Sequence, residues 1–402
     1  MHGHDRGVNY VSLNGLIGIR SSIRENILRR PIRLASVGAA VLVAATLFAS
    51  PAFASTQSSQ NPVFVQTDNL SGNSIVAYDA ADNGTLTKAG TYATGGLGGA
   101  LGGSVTDHLA SQGSLSFDSG HNLLYAVNAG SNTISVFSVS GDKLTLNQVI
   151  SSGGDFPVSI TVFGGFVYVL NARSGGSLQG YVVDGTKLDL VSAWHRNLGL
   201  NTGGSPEFVN TPGQVLFTFN GLGLVVTTKN ASNALDIFGV DSSGDLTATP
   251  AVDSLPGTIP FSAAFDFTGR LVVAEAGANA IGTFLINSDG TLTTISRATT
   301  GESLSCWVVE DGDADYVSNN GSGVVSGFFD NQDGALSSLG NTGTDAGTED
   351  PAVSADGHFI YVQTGATGTV DEFSVNSSNG SLTRIGSVTV PGGAGGEGIA
   401  IG

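Results

Sequence analysis

The chain repeats one two-strand pattern seven times. In each copy an aromatic residue is followed seven to nine positions later by a leucine, across a turn that contains glycine. Successive leucines are 58, 44, 58, 46, 44 and 46 residues apart. A repeat of that length, built from short strands, is typical of a β-propeller with one four-stranded sheet per repeat. We therefore predict an all-β fold, a seven-bladed β-propeller of four-stranded antiparallel blades. The pairs are Tyr78 and Leu86, Phe137 and Leu144, Tyr181 and Leu188, Phe238 and Leu246, Phe284 and Leu292, Phe328 and Leu336, and Phe373 and Leu382.

The two ends of the chain supply complementary parts of one blade. Residues 63–67 correspond to the second strand of a repeat, with no inner strand before them. Residues 398–401 follow the seventh repeat and are typical of an inner strand. We expect the C-terminal strand to complete the N-terminal blade, which would close the ring and remove its open sheet edges.

The N-terminal region is typical of a secretory signal. Five arginines between positions 20 and 33 precede an apolar stretch over residues 34–48, and Ala52 and Ala54 then offer the small residues that a signal peptidase recognises. We predict a signal peptide over residues 1–54, a single propeller domain over residues 55–402 and a secreted or extracytoplasmic location. Because the apolar stretch is short for a membrane span, an uncleaved anchor is the competing interpretation.

The charge balance excludes several classes of partner. Loss of residues 1–54 removes six arginines, one aspartate and one glutamate, so 9 of 15 basic and 31 of 33 acidic residues remain, a net charge of −22. Such a surface repels nucleic acid and anionic lipid. We expect a monomer without nucleic-acid partners, and no membrane insertion after the signal is removed. The single cysteine, Cys306, lies in an apolar strand and is interpreted as a buried structural thiol.

Loop lengths indicate which face carries the function. The turns between first and second strands and between third and fourth strands are tight, as at residues 289–290 and 356–357. The connections on the opposite face contain two insertions, over residues 95–112 and 197–212. Long loops on a rigid scaffold commonly carry binding or catalytic groups, so we take this face as the candidate site for a small-molecule lactone or a glycan-like ligand.

Three residues on this face are the candidate catalytic groups. Glu275 is the one carboxylate in a column of small neutral residues at the ends of the second strands, so it is either a general base or a scaffold carboxylate with a nearby donor. Arg173 and Lys229 follow two other second strands, close to the second insertion. Each is either a cation that polarises a carbonyl group or the partner of a rim salt bridge.

A ring of carboxylates around the central channel is a further expectation. No cofactor is predicted, although such a ring would suit Ca²⁺ or another hard cation. Against a metal centre, the sequence has no HExxH motif, no EF-hand loop and no paired Cys/His spacing. The acidic residues that fall in these loops or at the starts of inner strands are Asp155, Glu207, Glu302, Glu349, Asp350 and Glu397, and Asp107 and His108 lie in the first insertion.

The strand and turn sequences resemble those of the lactonase family of seven-bladed propellers, which is related to bacterial 6-phosphogluconolactonase and fungal muconate-lactonizing cyclases. The resemblance rests on the second strands at residues 124–128, 167–171 and 359–363 and on the turn at residues 289–292, and it covers about residues 61–402. Residues 156–159 resemble those of secreted bacterial members. It implies a propeller fold and lactone chemistry, but no family catalytic motif matches residue by residue.

Two functions are compatible with these features. The first is an exported hydrolase of a neutral or weakly charged lactone, with Glu275 as base and Arg173 or Lys229 stabilising the oxyanion. Few cations are available to hold a phosphate group, so a phosphorylated sugar lactone is disfavoured. The second is a non-catalytic extracellular binding propeller, favoured by the absence of a catalytic motif and by the polar, glycine-rich loops.

Overall fold

The computed structural model describes residues 60–402, which form 28 β-strands and three single-turn 3₁₀ segments. The signal peptide predicted over residues 1–54 lies outside the described residues and stays a prediction. No helix in the described part is long and apolar enough to cross a membrane. The all-β class predicted from the repeat is confirmed.

The strands form seven four-stranded antiparallel sheets, called blades 1 to 7 in chain order. Blade 1 contains β1 (Gln60–Gln66), β2 (Ser74–Ala80) and β3 (Leu86–Ala93), and blade 2 contains β4 (Leu115–Asp118), β5 (Leu123–Asn128), β6 (Thr133–Ser140) and β7 (Lys143–Ser151). Blade 3 contains β8 (Pro157–Phe163), β9 (Phe166–Asn171), β10 (Ser177–Asp184) and β11 (Lys187–Asn197). Blade 4 contains β12 (Gln214–Phe217), β13 (Gly223–Thr227), β14 (Ala234–Gly239) and β15 (Ala251–Ser254). Blade 5 contains β16 (Pro260–Phe265), β17 (Leu271–Glu275), β18 (Ala280–Ile286) and β19 (Leu292–Thr299). Blade 6 contains β20 (Ser305–Asp311), β21 (Ala314–Asn319), β22 (Val324–Asp330) and β23 (Leu336–Gly343). Blade 7 contains β24 (Thr348–Val353), β25 (Phe359–Thr364), β26 (Thr369–Val375) and β27 (Leu382–Thr389). The last strand is β28 (Ile399–Ile401), and the 3₁₀ segments are Ala129–Ser131, Glu207–Val209 and Lys229–Ala231.

The C-terminal strand closes the ring, as the sequence predicts. Strand β28 pairs antiparallel with β1 and forms the inner strand of blade 1, with Val63 opposite Ile401 and Val65 opposite Ile399. The N–H of Gln66 extends this pairing by donating to the carbonyl of Gly398 (2.8 Å). Each of the seven blades therefore has four strands, and the first and last parts of the described chain share one sheet.

Alternate residues of a second strand pack against opposite neighbouring blades. In β1, Val63 and Val65 belong to the apolar cluster shared with blade 7, whereas Phe64 belongs to the cluster shared with blade 2. Both faces of the strand are buried, which explains why its sequence is a continuous apolar run and not an alternating one. Full burial of a large aliphatic or aromatic side chain stabilises the fold by about 1.5–3 kcal/mol.

The repeated aromatic and leucine residues are contacts between blades. Tyr78 and Leu86 pack against Phe359 and Tyr361 of blade 7. The hydroxyl of Tyr361 also donates to the carbonyl of Gly84, in the turn between the two repeat residues (3.0 Å). The same link, from a second-strand tyrosine to a turn glycine of the next blade, joins Tyr168 to Gly244 and Tyr316 to Gly380.

Steric contact makes glycine necessary at this turn. Gly84 has φ of +82°, a left-handed conformation that costs a residue with a side chain energy. A Cβ atom at this position would lie 2.1 Å from Cδ1 of Phe359, well inside van der Waals contact. The turn glycine of the repeat therefore allows the next blade to approach closely.

The insertions lie on the face opposite the tight turns. In each antiparallel blade the connection from second to third strand emerges on the same face as the connection to the next blade. Residues 94–114, between β3 and β4, and residues 198–213, between β11 and β12, are the longest of these connections in the described chain.

We expect Gly84→Ala to lower the free energy of unfolding by about 3 kcal/mol, the sum of the left-handed backbone cost and the clash with Phe359. Gly141→Ala is the matched control, because Gly141 has φ of +57° in the equivalent turn of blade 2 and a Cβ there meets no atom within 4 Å. It should cost only about 1 kcal/mol. Chemical denaturation measures both values, and equal losses would contradict the proposed blade contact.

Candidate functional site

The first insertion crosses the axis of the ring. Its residues 107–112, here called the plug, contact inner strands on different sides of the propeller. The indole N–H of Trp307 in β20 donates to the carbonyl of Ser111 (2.6 Å), and the Ser111 hydroxyl donates to the carbonyl of Val158 in β8 (2.9 Å). The N–H of His108 donates to the carbonyl of Gly395, near the start of β28 (3.0 Å). The long-loop end of the channel is therefore filled by protein.

Buried carboxyl groups gather around the plug. Asp107 Oδ1 accepts the N–H groups of Leu109 (3.0 Å) and Ala110 (2.7 Å), whereas its Oδ2 has no hydrogen-bond partner. Neither carboxyl oxygen of Glu349 has a partner. Five carboxyl groups make up this cluster, and each is at least nine-tenths buried: Asp68, Asp107, Glu349, Asp350 and Glu397.

Burial and mutual proximity raise the pKa values of this cluster. Burial is the largest cause that raises the pKa of Asp68, to about 8, with the Asp107 carboxylate adding to it. Burial and the neighbouring carboxylates also raise the pKa of Glu349 and Glu397 well above the ordinary value. Ser111 Oγ lies 2.6 Å from Glu397 Oε2. Since a hydroxyl carries one proton, that contact and the one to Val158 are both satisfied when protonated Glu397 donates to Ser111.

Lys229 is the buried cation of the site. Its backbone has φ of +46° at the start of a 3₁₀ segment, and its side chain is fully buried. The ammonium group donates to the carbonyl of Ala110 in the plug (2.5 Å) and to that of Phe208 in the second insertion (2.6 Å). Burial lowers the pKa of Lys229, and the Asp107 carboxylate opposes that effect. One side chain thus connects both insertions to blade 4.

A cavity of about 460 Å³ lies beside this pair on the long-loop face. Both insertions and the adjoining loops of blades 4 to 6 line it, and the indole of Trp307 meets the ring of Phe261 edge-on at 4.9 Å between centroids. A larger groove of about 880 Å³ lies among the tight turns of blades 4 and 5, but its one charged residue, Asp289, is exposed. We take the smaller cavity as the candidate site, because it alone of the two brings a buried carboxyl group and a buried ammonium group together.

Arg173 does not line the cavity and lies in a salt bridge with the second insertion. Its guanidinium binds both carboxylate oxygens of Glu207 (2.7 and 3.1 Å) and covers the ring of Phe156 at 4.1 Å. Glu207 also accepts the N–H of Gly102 (2.6 Å), so this pair ties the second insertion to the first. The hydrogen bond to Arg173 holds the pKa of Glu207 below its ordinary value. The structure shows the salt bridge, and the catalytic role expected for Arg173 stays a prediction.

Glu275 is directed away from the cavity. It ends β17 and is fully buried, and its Oε1 accepts a hydrogen bond from Arg297 on the outer strand β19 (2.6 Å). Burial raises the pKa of Glu275, and Arg297 opposes that effect. The neighbouring Ala276 lines the cavity, whereas Glu275 does not. The catalytic role expected for Glu275 stays a prediction, and the structure supplies the nearby donor of the scaffold alternative.

The expected carboxylate ring divides into two groups. Glu349, Asp350 and Glu397 meet at the plug, whereas Asp155 and Glu302 contact Asn132 and Asn341 in more exposed loops, apart from that cluster. No three or more His, Cys, Asp or Glu side chains in residues 60–402 are arranged to hold a metal ion.

Asp68 and Cys306 show what the sequence does and does not predict about this site. Asp68 was not predicted, although it directly follows Thr67 in the column that contains Glu275. Cys306 lines the cavity, is buried and unbonded to another cysteine, and burial raises the pKa of its thiol, in keeping with a structural role.

We expect the protein to become more stable as the pH falls from 8 to 5. In this range the folded state retains more protons on the carboxyl groups around the plug than the unfolded chain, which has already released them above pH 4 to 5. Each such group changes the free energy of unfolding by up to about 1.4 kcal/mol per pH unit. Thermal unfolding across this range should show the melting temperature rising toward pH 5.

Glu349→Gln isolates the contribution of the cluster. The amide cannot ionise, so this variant should be more stable than the parent at pH 8 and should have a weaker pH dependence. Asp184→Asn controls for the loss of one negative charge, since Asp184 is exposed at the end of β10. The same change in pH dependence in both variants would show that net charge, and not burial, causes the effect.

Comparison with known proteins agrees with this architecture. A family model described as "Lactonase, 7-bladed beta-propeller" matches residues 74–195. No curated protein matches the chain significantly in sequence. At the identities below, likeness to a solved structure establishes the fold alone.

Similar solved structures include a protein of Bacteroides fragilis whose assignment as a 6-phosphogluconolactonase is provisional (18% identity, 86% of this chain and 99% of that chain, TM-score 0.68). A periplasmic gluconolactonase of Pseudomonas aeruginosa, PpgL, is 16% identical over 85% of this chain and 98% of that chain, with a TM-score of 0.66. The resemblance predicted from the strand and turn sequences is thus confirmed, and the chain is a seven-bladed β-propeller that resembles the lactonase family.

Proposed function

We propose that the protein hydrolyses a lactone in the cavity beside Asp107 and Lys229. The observation that carries the proposal is the pairing, at one cavity, of a carboxyl group whose Oδ2 lacks a partner with a buried ammonium group. The resemblance to the lactonase family supports the reaction class. A gluconolactonase among the similar structures supports the reaction class as well, but its substrate is not assigned to this chain.

Asp107 would act as the general base. Its Oδ1 is held by two backbone N–H groups, which leaves Oδ2 to accept a proton from water. That water oxygen forms a bond with the lactone carbonyl carbon. Burial raises the pKa of Asp107, and Lys229 opposes the rise, so the carboxyl group is a stronger base than an exposed aspartate.

Lys229 would stabilise the charge that develops on the carbonyl oxygen. Two of its three N–H groups already donate to backbone carbonyls, and the third would donate to the oxyanion of the tetrahedral intermediate. The ring C–O bond then breaks, and the leaving alkoxide takes the proton from Asp107. The product is a single hydroxy acid, and Asp107 returns to its ionised form.

We expect Asp107→Asn to lower the rate of lactone hydrolysis by at least about 100-fold, because the amide cannot accept the proton from water. The Asn side-chain oxygen can keep both backbone contacts, so the variant should still fold and show a cooperative thermal transition. Acid release by the purified protein on a panel of γ- and δ-lactones, corrected for uncatalysed hydrolysis, measures the rate.

Glu275→Gln distinguishes the two candidate bases. It should retain activity under our proposal, because Glu275 does not line the cavity. Loss of turnover in Glu275→Gln, with full activity in Asp107→Asn, would assign the base to Glu275 instead. Absence of turnover by the folded parent protein on every lactone would refute the hydrolase and favour the binding propeller.

A further inference from the structure

We infer that the lactone accepted by this cavity is uncharged and bears an apolar alkyl or aryl substituent. This inference rests on the proposed function and specifies its substrate class. Three features of the cavity support it: its walls are mostly apolar, the cations at the site are engaged, and the amide oxygens in its wall already accept hydrogen bonds.

Apolar side chains from separate parts of the chain form most of the wall. Phe208 and Val209 come from the second insertion, Ile259 and Phe261 from the start of blade 5, and Trp307 from blade 6. Aromatic rings provide large flat surfaces that gain free energy by covering an apolar group. A cavity of this size and lining fits a ligand with a hydrocarbon body and few polar atoms.

The entrance of the cavity is also apolar. Val105, in the first insertion, is 82% exposed and Leu304, in the connection before β20, is 49% exposed, and both line the cavity. Both would lose contact with water when a substituent longer than the lactone ring extends toward the entrance. Each buried methylene group then tightens binding about fourfold.

No cation at the site is available for a phosphate or carboxylate group. Among the described residues that line the cavity, Lys229 alone is basic; two of its N–H groups donate to carbonyls, and the proposed mechanism assigns the third to the oxyanion. Arg173, which does not line the cavity, is engaged by both oxygens of Glu207. Asp107 lies in the wall and is ionised when it acts as the base, so an anionic substituent would meet like charge without a compensating partner.

The amide oxygens in the wall are already occupied as well. Asn279 Oδ1 accepts the N–H of Leu304 (2.8 Å). Asn320 Oδ1 accepts the hydroxyl of Thr106 (3.2 Å), and its amide N–H donates to the carbonyl of Thr348 (3.1 Å). A sugar lactone would therefore find these amide oxygens engaged, and each hydroxyl group buried without a partner costs free energy.

Four δ-lactones test the inference on the purified protein. They are δ-valerolactone, δ-decalactone with its pentyl chain, glucono-δ-lactone and 6-phosphoglucono-δ-lactone. We expect kcat/KM for δ-decalactone to exceed that for glucono-δ-lactone by at least about 100-fold, with the phosphorylated lactone slower still. Faster hydrolysis of either sugar lactone than of δ-decalactone would overturn the inference while leaving the proposed function intact.

A pair of isosteric variants locates the effect in the cavity. Val209→Thr places a hydroxyl in the wall without changing its shape, and it should lower kcat/KM about tenfold for δ-decalactone and less for δ-valerolactone. Val252→Thr is the matched control, since Val252 is 62% exposed on the outer strand of blade 4 and does not line the cavity. Equal effects of the two variants would contradict the cavity as the substituent site.

A binding measurement separates this inference from the proposed function. The δ-lactam analogue of δ-decalactone resists hydrolysis, and its contact with Trp307 should change the tryptophan fluorescence. Saturable binding of this lactam without turnover of any lactone would refute hydrolysis and still support the apolar ligand class. If neither the lactam binds nor any lactone is hydrolysed, both proposals are wrong.

Discussion

Contact between neighbouring blades is the interaction on which the rest of this structure depends. A single four-stranded sheet leaves both of its faces apolar, and each face is covered only when the next blade lies against it. The link from Tyr361 to Gly84 shows how close that approach is, because the turn has no room for a Cβ atom. Seven such contacts need a closed ring, and β28 completes it by pairing with β1.

The closed ring makes the plug and its unusual electrostatics possible. Inner strands from all sides converge on the axis, so the first insertion can be held by Val158 and Trp307 at once. Carboxyl groups around it are removed from water, and one buried ammonium, Lys229, faces them. The raised pKa values of the carboxyl groups cost stability near neutral pH, and the apolar contacts between blades offset that cost. Raised pKa values of this kind are common where a carboxyl group transfers protons.

Sequence reasoning led to the long-loop face and to Lys229, but not to the arrangement of the candidate site. It placed Lys229 on the long-loop face, where the structure puts it beside the cavity. It also singled out Glu275 as the one carboxylate in its column, but a column does not give the direction of a side chain. Glu275 extends across β18 to Arg297, away from the cavity. The partners of Arg173 and Lys229 lie 34 and 21 residues away at Glu207 and Phe208, in a loop whose path no local pattern determines.

The sequence by itself determined the strands, the number of blades and the closure of the ring. These features follow from local patterns of apolar residues and turn glycines, which repeat and reinforce one another. Only the tertiary structure decided which carboxyl groups meet, which cation they face and which loop fills the channel. Burial and charge proximity depend on distances between residues far apart in the chain, such as Asp107 and Lys229, and those distances exist only once the ring has closed.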